Sequence, residues 1–171
     1  NSHPHVSCDG RIVVVHNGIV ENYQELKSEL EKKGHKFKSQ TDTEVIAHLI
    51  EQELKREKDL VTAVRNALKK VEGSYALGIL DRETDTLIGT RLASPLILGI
   101  GKNEFFLGSD VPAFLKYTNQ VIFLDEGEMA VIKKDDKGKS EYELMRVTSG
   151  KRIKPKVVKI AWNIEAAEKG G

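Results

Sequence analysis

Cysteine and long apolar runs are the two features that this 171-residue chain most lacks. Its single cysteine, Cys8, excludes an internal disulfide and any metal site built from several cysteines. The longest apolar runs, such as residues 12–15, fall far short of the roughly 20 residues that a membrane-spanning helix needs. The polar, histidine-rich start does not follow the pattern of a secretory leader. Because hydrophobic residues still make up 39% of the chain, we expect a reduced, soluble, cytoplasmic globular domain that does not engage a membrane.

A dominant charge of either sign is also absent, since 27 basic residues face 26 acidic ones. The charge is uneven, however: residues 148–171 carry a net charge of +4 and the remaining residues −3. Because residues 1–147 have no excess positive charge, they lack the electrostatic footprint of a nucleic-acid-binding protein. Pro155 and two terminal glycines work against regular structure at the end of the chain. We therefore predict a domain over residues 1–148 followed by a basic linker over residues 149–171.

Hydrophobic periodicity predicts helices in the first half of the chain and strands in the second. A strand over residues 11–16 precedes three helices, whose starts are predicted from cap patterns at Asn22, Thr41 and Asp59. Apolar runs between turn signals predict nine shorter elements. They are a helix over residues 110–117 and strands over residues 35–38, 74–80, 86–92, 96–100, 104–109, 120–124, 128–133 and 141–147. Strands at such short spacing form antiparallel meanders rather than parallel crossover units. The predicted fold class is α+β, with helices packed on antiparallel sheet.

Asn17 and Gly18 directly follow the first predicted strand and allow two interpretations. An Asn-Gly pair is the strongest short-range signal for a type I′ hairpin turn. Against a hairpin, no second strand follows, and a helix begins a few residues later. An Asn side-chain amide beside a Gly backbone N–H could instead form an oxyanion hole, because both donors can be held in place before negative charge develops. The pattern alone favours the turn and leaves the oxyanion hole open.

Asp42 lies in the first turn of the second predicted helix and also has two interpretations. An acidic residue there interacts favourably with the helix dipole, which contributes about 0.3–1 kcal/mol. The same carboxylate could hold a substrate ammonium group while free helix N–H groups hold a carboxylate, a combination that suits an α-amino acid. The dipole is the simpler interpretation of the pattern.

No metal site is predicted from the histidines near the start of the chain. Pro4 keeps the His3-Pro4-His5 segment extended, so the two rings point in opposite directions. No third ligand occurs at a spacing typical of zinc sites. Cys8 precedes a buried strand and has no base nearby in sequence, so we interpret it as a small packed thiol rather than a nucleophile.

Four segments occur together in one order, and with them the chain resembles the glutaminase domain of class II glutamine amidotransferases, which belong to the N-terminal nucleophile hydrolases. The segments are residues 1–5 (NSHPH), 16–23 (HNGIVENY), 41–49 (TDTEVIAHL) and 73–77 (GSYAL). The resemblance implies an αββα sandwich of antiparallel sheets and no cofactor. It assigns Asn17 and Gly18 to the oxyanion hole and Asp42 to the glutamine α-amino group, and it places Thr41 and His5 with the substrate-binding residues.

Later segments resemble the members of this class that pass ammonia to fructose 6-phosphate bound in sugar-isomerase domains. These segments are residues 91–96 (RLASPL), 108–115 (GSDVPAFL) and 162–171 (WNIEAAEKGG). The resemblance implies glutamine as the substrate, sugar-isomerase domains downstream as the partner, and a homo-oligomer of the intact enzyme. An amidophosphoribosyltransferase and a noncatalytic interaction module of the same fold remain alternatives.

This sequence departs from the family pattern at the position of the nucleophile. In that family a Cys at the mature N-terminus attacks the amide, and its own α-amine serves as the base. Cys8 does not match that position, and we expect the catalytic Cys to lie upstream of Asn1. The chain is therefore expected to be an N-terminally truncated glutaminase domain that is inactive by itself.

Overall fold

The computed structural model describes residues 3–161 of the chain. It contains three α-helices in the first half: α1 (Tyr23–Lys32), α2 (Glu44–Leu54) and α3 (Leu60–Leu68). The strands are β1 (His5–Val6), β2 (Ile12–Val20), β3 (Gly73–Asp81), β4 (Thr86–Leu92), β5 (Ile97–Ile100), β6 (Phe105–Gly108), β7 (Gln120–Phe123), β8 (Glu128–Lys134), β9 (Ser140–Arg146), β10 (Arg152–Ile153) and β11 (Val158–Lys159). No helix among these residues is both long and apolar enough to cross a membrane.

Two antiparallel sheets form the centre of the fold. The larger sheet has the order β1-β2-β3-β4-β8-β9-β10, and the smaller has the order β11-β7-β5-β6. Side chains of a strand alternate between its two faces, and β8 shows the result: Met129 and Val131 pack under the helices, whereas Ala130 and Ile132 pack against the smaller sheet. The chain is thus an α+β sandwich, as predicted. In the described residues, a 3-10 turn (Val111–Ala113) packs on the outer face of the smaller sheet.

Local cap patterns predict the helix starts better than they predict the caps. Asp59 caps α3 as predicted, because its carboxylate accepts a hydrogen bond from the backbone N–H of Thr62 at 2.8 Å. Helix α1 also begins where predicted, but Asn22 makes no cap bond with its side chain. The Asn22 amide instead donates to the carbonyl of Lys70 and accepts from the N–H of Glu72. It joins α1 to the segment before β3.

The capping box predicted for α2 is wrong. The helix begins at Glu44, with Thr43 as the N-cap residue and no side-chain cap bond. The Glu44 carboxylate does not reach back to Thr41, as a capping box requires. It accepts the backbone N–H groups of Lys38 and Ser39, each at 2.7 Å. The Glu44 carboxylate thus binds the loop that precedes the helix instead of forming the predicted capping box with Thr41.

Three shorter predictions also need correction. Residues 35–38 form no strand, and the predicted helix over residues 110–117 shrinks to the 3-10 turn Val111–Ala113. Residues 149–161 were expected to be irregular. They contain β10, which pairs with β9, and β11, which pairs with β7. This segment therefore adds one edge strand to each sheet. Residues 162–171, the rest of the predicted linker, lie outside the described residues.

Candidate active site

Asn17 and Gly18 lie inside β2 rather than in a turn. Strand β2 pairs with β3 without interruption from Ile12 to Val20, and Asn17 is opposite Ala76 in this register. The hairpin-turn interpretation is therefore wrong: the chain continues straight through the Asn-Gly pair. The Asn17 side chain is exposed on the face of the sheet opposite the helices.

Gly18 permits an unusually close approach between β2 and β3. Its φ of +139° is rarely adopted by other residues, and a Cβ atom at this position would lie 2.2 Å from the carbonyl oxygen of Ser74. The same carbonyl lies 3.2 Å from Nε2 of His16. Only glycine allows the strand to pass this carbonyl while the imidazole remains bonded to it.

Asp42 links the end of β2 to the start of α2. The sequence analysis predicted Asp42 in the first turn of this helix. That prediction is wrong, because Asp42 precedes the N-cap residue Thr43. Its Oδ2 atom accepts the backbone N–H of Val20 at 2.7 Å. A carboxylate is thereby fixed three residues along the strand from Asn17.

Thr41 and His5 meet beside this link, although 36 residues separate them in sequence. The Thr41 hydroxyl lies 3.2 Å from His5 Nε2 and 2.9 Å from the hydroxyl of Ser39. His5 is buried, and burial, reinforced by the nearby His3, lowers the pKa of its imidazole. The structure therefore brings both predicted residues next to Asp42, in surroundings that disfavour the charged form of His5.

His16 is a second buried imidazole in the site that the sequence analysis did not single out. Its Nδ1 lies 2.9 Å from the Thr43 hydroxyl, and its Nε2 donates to the Ser74 carbonyl. Burial lowers the pKa of His16, and the bond to Ser74 opposes this only in part. The one feature of the sequence that could have identified His16 as a site residue is its position as an inward-facing polar residue in an otherwise apolar strand.

The arrangement combines one carboxylate, an exposed amide and two buried imidazoles. Burial lowers the pKa of both imidazoles and so disfavours their cationic forms, which would compete with a cationic ligand for the Asp42 carboxylate. The Asn17 amide offers N–H donors on the open side of the strand. These features suit a small zwitterion with a polar group at the far end.

Cys8 lies elsewhere in the fold. Its sulfur is 3.5 Å from Nδ1 of His48 and 3.8 Å from Nδ1 of His35, and Glu51 completes the group. The prediction of a simple packed thiol missed this cluster. The only sequence signal was the spacing of His48 and Glu51, which places both on one face of α2.

Comparison with known proteins defines the class of this protein. The chain belongs to the family described as "Glutamine amidotransferase domain", which matches residues 1–116. The glutamine phosphoribosylpyrophosphate amidotransferase structure from B. subtilis has a TM-score of 0.66 and 29% identity, over 87% of this chain and 32% of that one. A structure described as the allosteric regulatory enzyme of purine biosynthesis has a TM-score of 0.63 and 30% identity, over 87% and 31%. The fold is that of the class II, N-terminal nucleophile type, as the resemblance implied.

The curated relatives are more specific. Glutamine–fructose-6-phosphate aminotransferase (isomerizing) from Thermococcus kodakarensis is 54% identical over all of this chain, and the homologue from Methanocaldococcus jannaschii is 51% identical. The chain spans 28% of the length of the first and 16% of the second. The similarity thus covers one part of much longer proteins.

Proposed function

We propose that this chain is the glutaminase part of a glutamine–fructose-6-phosphate aminotransferase. In the intact enzyme it hydrolyses glutamine and supplies ammonia to fructose 6-phosphate, which is bound in sugar-isomerase domains. The names of relatives that are 54% and 51% identical over the whole chain support this acceptor. The B. subtilis amidotransferase shares the fold at 29% identity and makes a phosphoribosyl acceptor the second candidate.

The observation that carries the proposal is the spacing between Asp42 and the Asn17–Gly18 pair. Asp42 is fixed to Val20, and three strand residues span roughly 10 Å. In an extended glutamine the ammonium nitrogen and the side-chain amide carbon are roughly 5 Å apart. The amide C=O bond and a hydrogen bond of roughly 2.8 Å at each end add to this length. The spacing along the strand is therefore of the same order as one glutamine molecule with its hydrogen bonds, which supports the proposal.

In this pose the two ends of the site have different tasks. The Asp42 carboxylate binds the glutamine ammonium group, with Thr41 and His5 beside it. At the other end, the Asn17 amide and the Gly18 backbone N–H bind the oxygen of the amide under attack. Such donors stabilise a tetrahedral intermediate because its oxygen is more negative than the ground-state carbonyl oxygen.

The attacking thiol is proposed to come from a segment other than the described residues. Cys8 is the only cysteine of the chain, and its sulfur contacts His48 and His35 rather than Asn17 or Asp42. Residues 1–171 alone should therefore release no ammonia from glutamine. Ammonia release that is abolished by alkylation of Cys8 would contradict this.

The glutamine assignment is tested with Asp42→Asn in the intact enzyme. Asparagine can still accept the Val20 N–H, but it lacks the charge that attracts the ammonium group. A charge-assisted hydrogen bond contributes about 1.5–3 kcal/mol, so KM for glutamine should rise about 10–100-fold with kcat little changed.

Asp59→Asn is the matched control, because it removes an exposed acidic charge at the start of another helix, where Asp59 is hydrogen-bonded to Thr62. It should change stability little, since asparagine caps a helix about as well as aspartate, and it should leave KM unchanged. An unchanged KM in Asp42→Asn as well would reduce Asp42 to a link between β2 and α2. Offering the intact enzyme fructose 6-phosphate or phosphoribosyl pyrophosphate as acceptor then separates the two candidate enzymes.

A further inference from the structure

We propose that Cys8, His35, His48 and Glu51 form a binding site for a divalent cation of the zinc type. One donor atom from each residue lies within 4.8 Å of the other three. Cys8 belongs to the turn between β1 and β2, His35 follows α1, and the other two residues lie on α2. None of these four residues belongs to the proposed glutamine site.

The distances between donor atoms fit a tetrahedral ion. Bond lengths of 2.0–2.3 Å to nitrogen, oxygen and sulfur place the donors roughly 3.3–3.6 Å apart. The Cys8 sulfur lies 3.5 and 3.8 Å from Nδ1 of His48 and His35. The Glu51 oxygen Oε2 lies 3.3 and 3.1 Å from the same two nitrogens. Shifts of a few tenths of an ångström would complete the coordination.

The outward-facing nitrogens of both imidazoles are held by acceptor oxygens. Nε2 of His48 lies 3.3 Å from Glu44 Oε1, and Nε2 of His35 lies 3.0 Å from Gln52 Oε1. Both oxygens have a second donor, which identifies them as acceptors: the Lys38 N–H for Glu44 and the Lys55 ammonium for Gln52. Metal-binding histidines are commonly oriented by outer partners of this kind.

These outer contacts direct the inner nitrogens of both rings at one point. When Nε2 of a neutral imidazole donates to its outer partner, Nδ1 carries the lone pair. Both Nδ1 atoms then face the Cys8 sulfur and Glu51 Oε2, and the two buried rings have centroids 5.3 Å apart. A divalent cation at this point would accept a lone pair from each of the four donor atoms.

Backbone donors already support anionic forms of the other two ligands. The Lys36 N–H donates to the Cys8 sulfur at 3.2 Å. The N–H groups of Cys8 and Asp9 donate to the two Glu51 oxygens at 3.0 and 3.2 Å. A thiolate, a carboxylate and two neutral imidazoles carry a charge of −2, which a divalent cation neutralises.

The exposure of the ligands defines a structural site with an entry route. His35, His48 and Glu51 are buried, whereas Cys8 is exposed. An ion can enter on the Cys8 side and then has four protein ligands, the closed set typical of structural zinc. Bound there, it would fasten the β1–β2 turn and the segment after α1 to α2.

The experiment is a zinc titration of the reduced, metal-free full chain against a chromophoric chelator. The parent should bind one Zn²⁺ per chain. Cys8→Ser should weaken this affinity at least tenfold, because serine is a poor zinc ligand. His3→Gln is the matched control, since it removes an exposed histidine outside the cluster, and its affinity should stay within twofold of the parent. Absence of stoichiometric binding to the parent, or equal affinity in Cys8→Ser, would overturn the proposal.

Cobalt provides a second readout that reports the ligands directly. Co²⁺ in the parent should show thiolate-to-metal charge-transfer absorption, and this band should be missing in Cys8→Ser. Identical cobalt spectra for the two proteins would also overturn the proposal. His48→Gln should weaken both signals. If the loss of this buried residue prevents folding, the exposed Cys8 variant decides the question by itself.

Discussion

The two halves of strand β2 have different surroundings. Residues 12–14, the paired half, have β1 and the following Ser7 on one edge and β3 on the other, and the inward side chains of Ile12 and Val14 are completely buried. Residues 15–20, the open half, pair only with β3 among the described strands. On the face opposite the helices, Val15 and Ile19 are 46% and 64% exposed. One strand thus runs from the interior of the fold to an accessible edge.

Polar contacts also differ between the halves. At the start of the paired half, Arg11 holds the buried carboxylate of Asp81 with two hydrogen bonds of 2.9 and 2.7 Å. In the open half, Asp42 binds the strand backbone and His16 binds the carbonyl of Ser74 across the sheet. The paired half therefore contributes to the stability of the fold, whereas the open half carries the residues proposed to bind glutamine.

The largest effect is expected for Asn17→Ala in the intact enzyme. Loss of one oxyanion donor typically lowers the rate about 10²–10³-fold, equivalent to about 2.7–4 kcal/mol. The loss should appear in kcat for glutamine hydrolysis and leave the melting temperature nearly unchanged, because the side chain is exposed. Asn22→Ala should show the reverse, losing about 1 kcal/mol of stability with normal kcat. Normal turnover in Asn17→Ala would contradict the proposed oxyanion role.

Next in size is the stability cost of Gly18→Ala. The new Cβ would collide with a backbone carbonyl that cannot move without separating β2 from β3. We expect a loss on the order of 3 kcal/mol in the free energy of unfolding, measured with denaturant. Gly10→Ala is the control: its φ is +77°, but no atom lies within 4 Å of the added carbon. It should cost only about 1 kcal/mol. Equal costs would mean that φ alone, and not the contact with Ser74, makes Gly18 necessary.

Asp81→Asn should break the anchor of the paired half. The loss should be about 2–3 kcal/mol, below the range for fully buried pairs, because Arg11 is one-quarter exposed. Asp85→Asn should change stability by less than about 0.5 kcal/mol, since its ion pair with Lys134 is exposed.

The Asp81 anchor should also respond to pH. Burial raises the pKa of Asp81, but the bonds from Arg11 and its other partners outweigh this and hold the pKa below its ordinary value. Its stabilisation is therefore complete above that ordinary value and is lost as pH falls through the lowered pKa. Denaturation curves of Asp81→Asn should show a weaker loss of stability with acid. Parallel curves for variant and parent would exclude the anchor as a source of acid sensitivity.

The smallest effect concerns His16 in the open half. Burial lowers its pKa, so the unfolded chain binds a proton more readily than the folded one. Its contribution is complete above the ordinary histidine pKa and is lost as pH falls towards the lowered value. His16→Gln should therefore flatten the decline in stability below pH 6.5, with the exposed His3→Gln as control. An unchanged slope would indicate that His16 is protonated in the folded state.

The strands and helix starts could be predicted because they depend on neighbours in sequence. The strand Thr86–Leu92 has the predicted bounds, and the cap of α3 needs only Asp59 and a residue three positions later. By contrast, Asn22 and Glu44 follow the same local patterns but bond elsewhere. A local pattern predicts where a helix can start, but a better partner can outcompete its cap.

The order of residues along the chain sets the alternation of apolar side chains, the positions of most strands and the motifs shared with the glutamine amidotransferase family. Packing of the folded chain placed Asn17 within a strand and joined Asp42 to Val20. It also brought Cys8 to His48, 40 residues away. The physical reason is that periodicity and propensity act over a few residues. A polar side chain, in contrast, takes its partner from whatever the packed layers bring within about 3 Å.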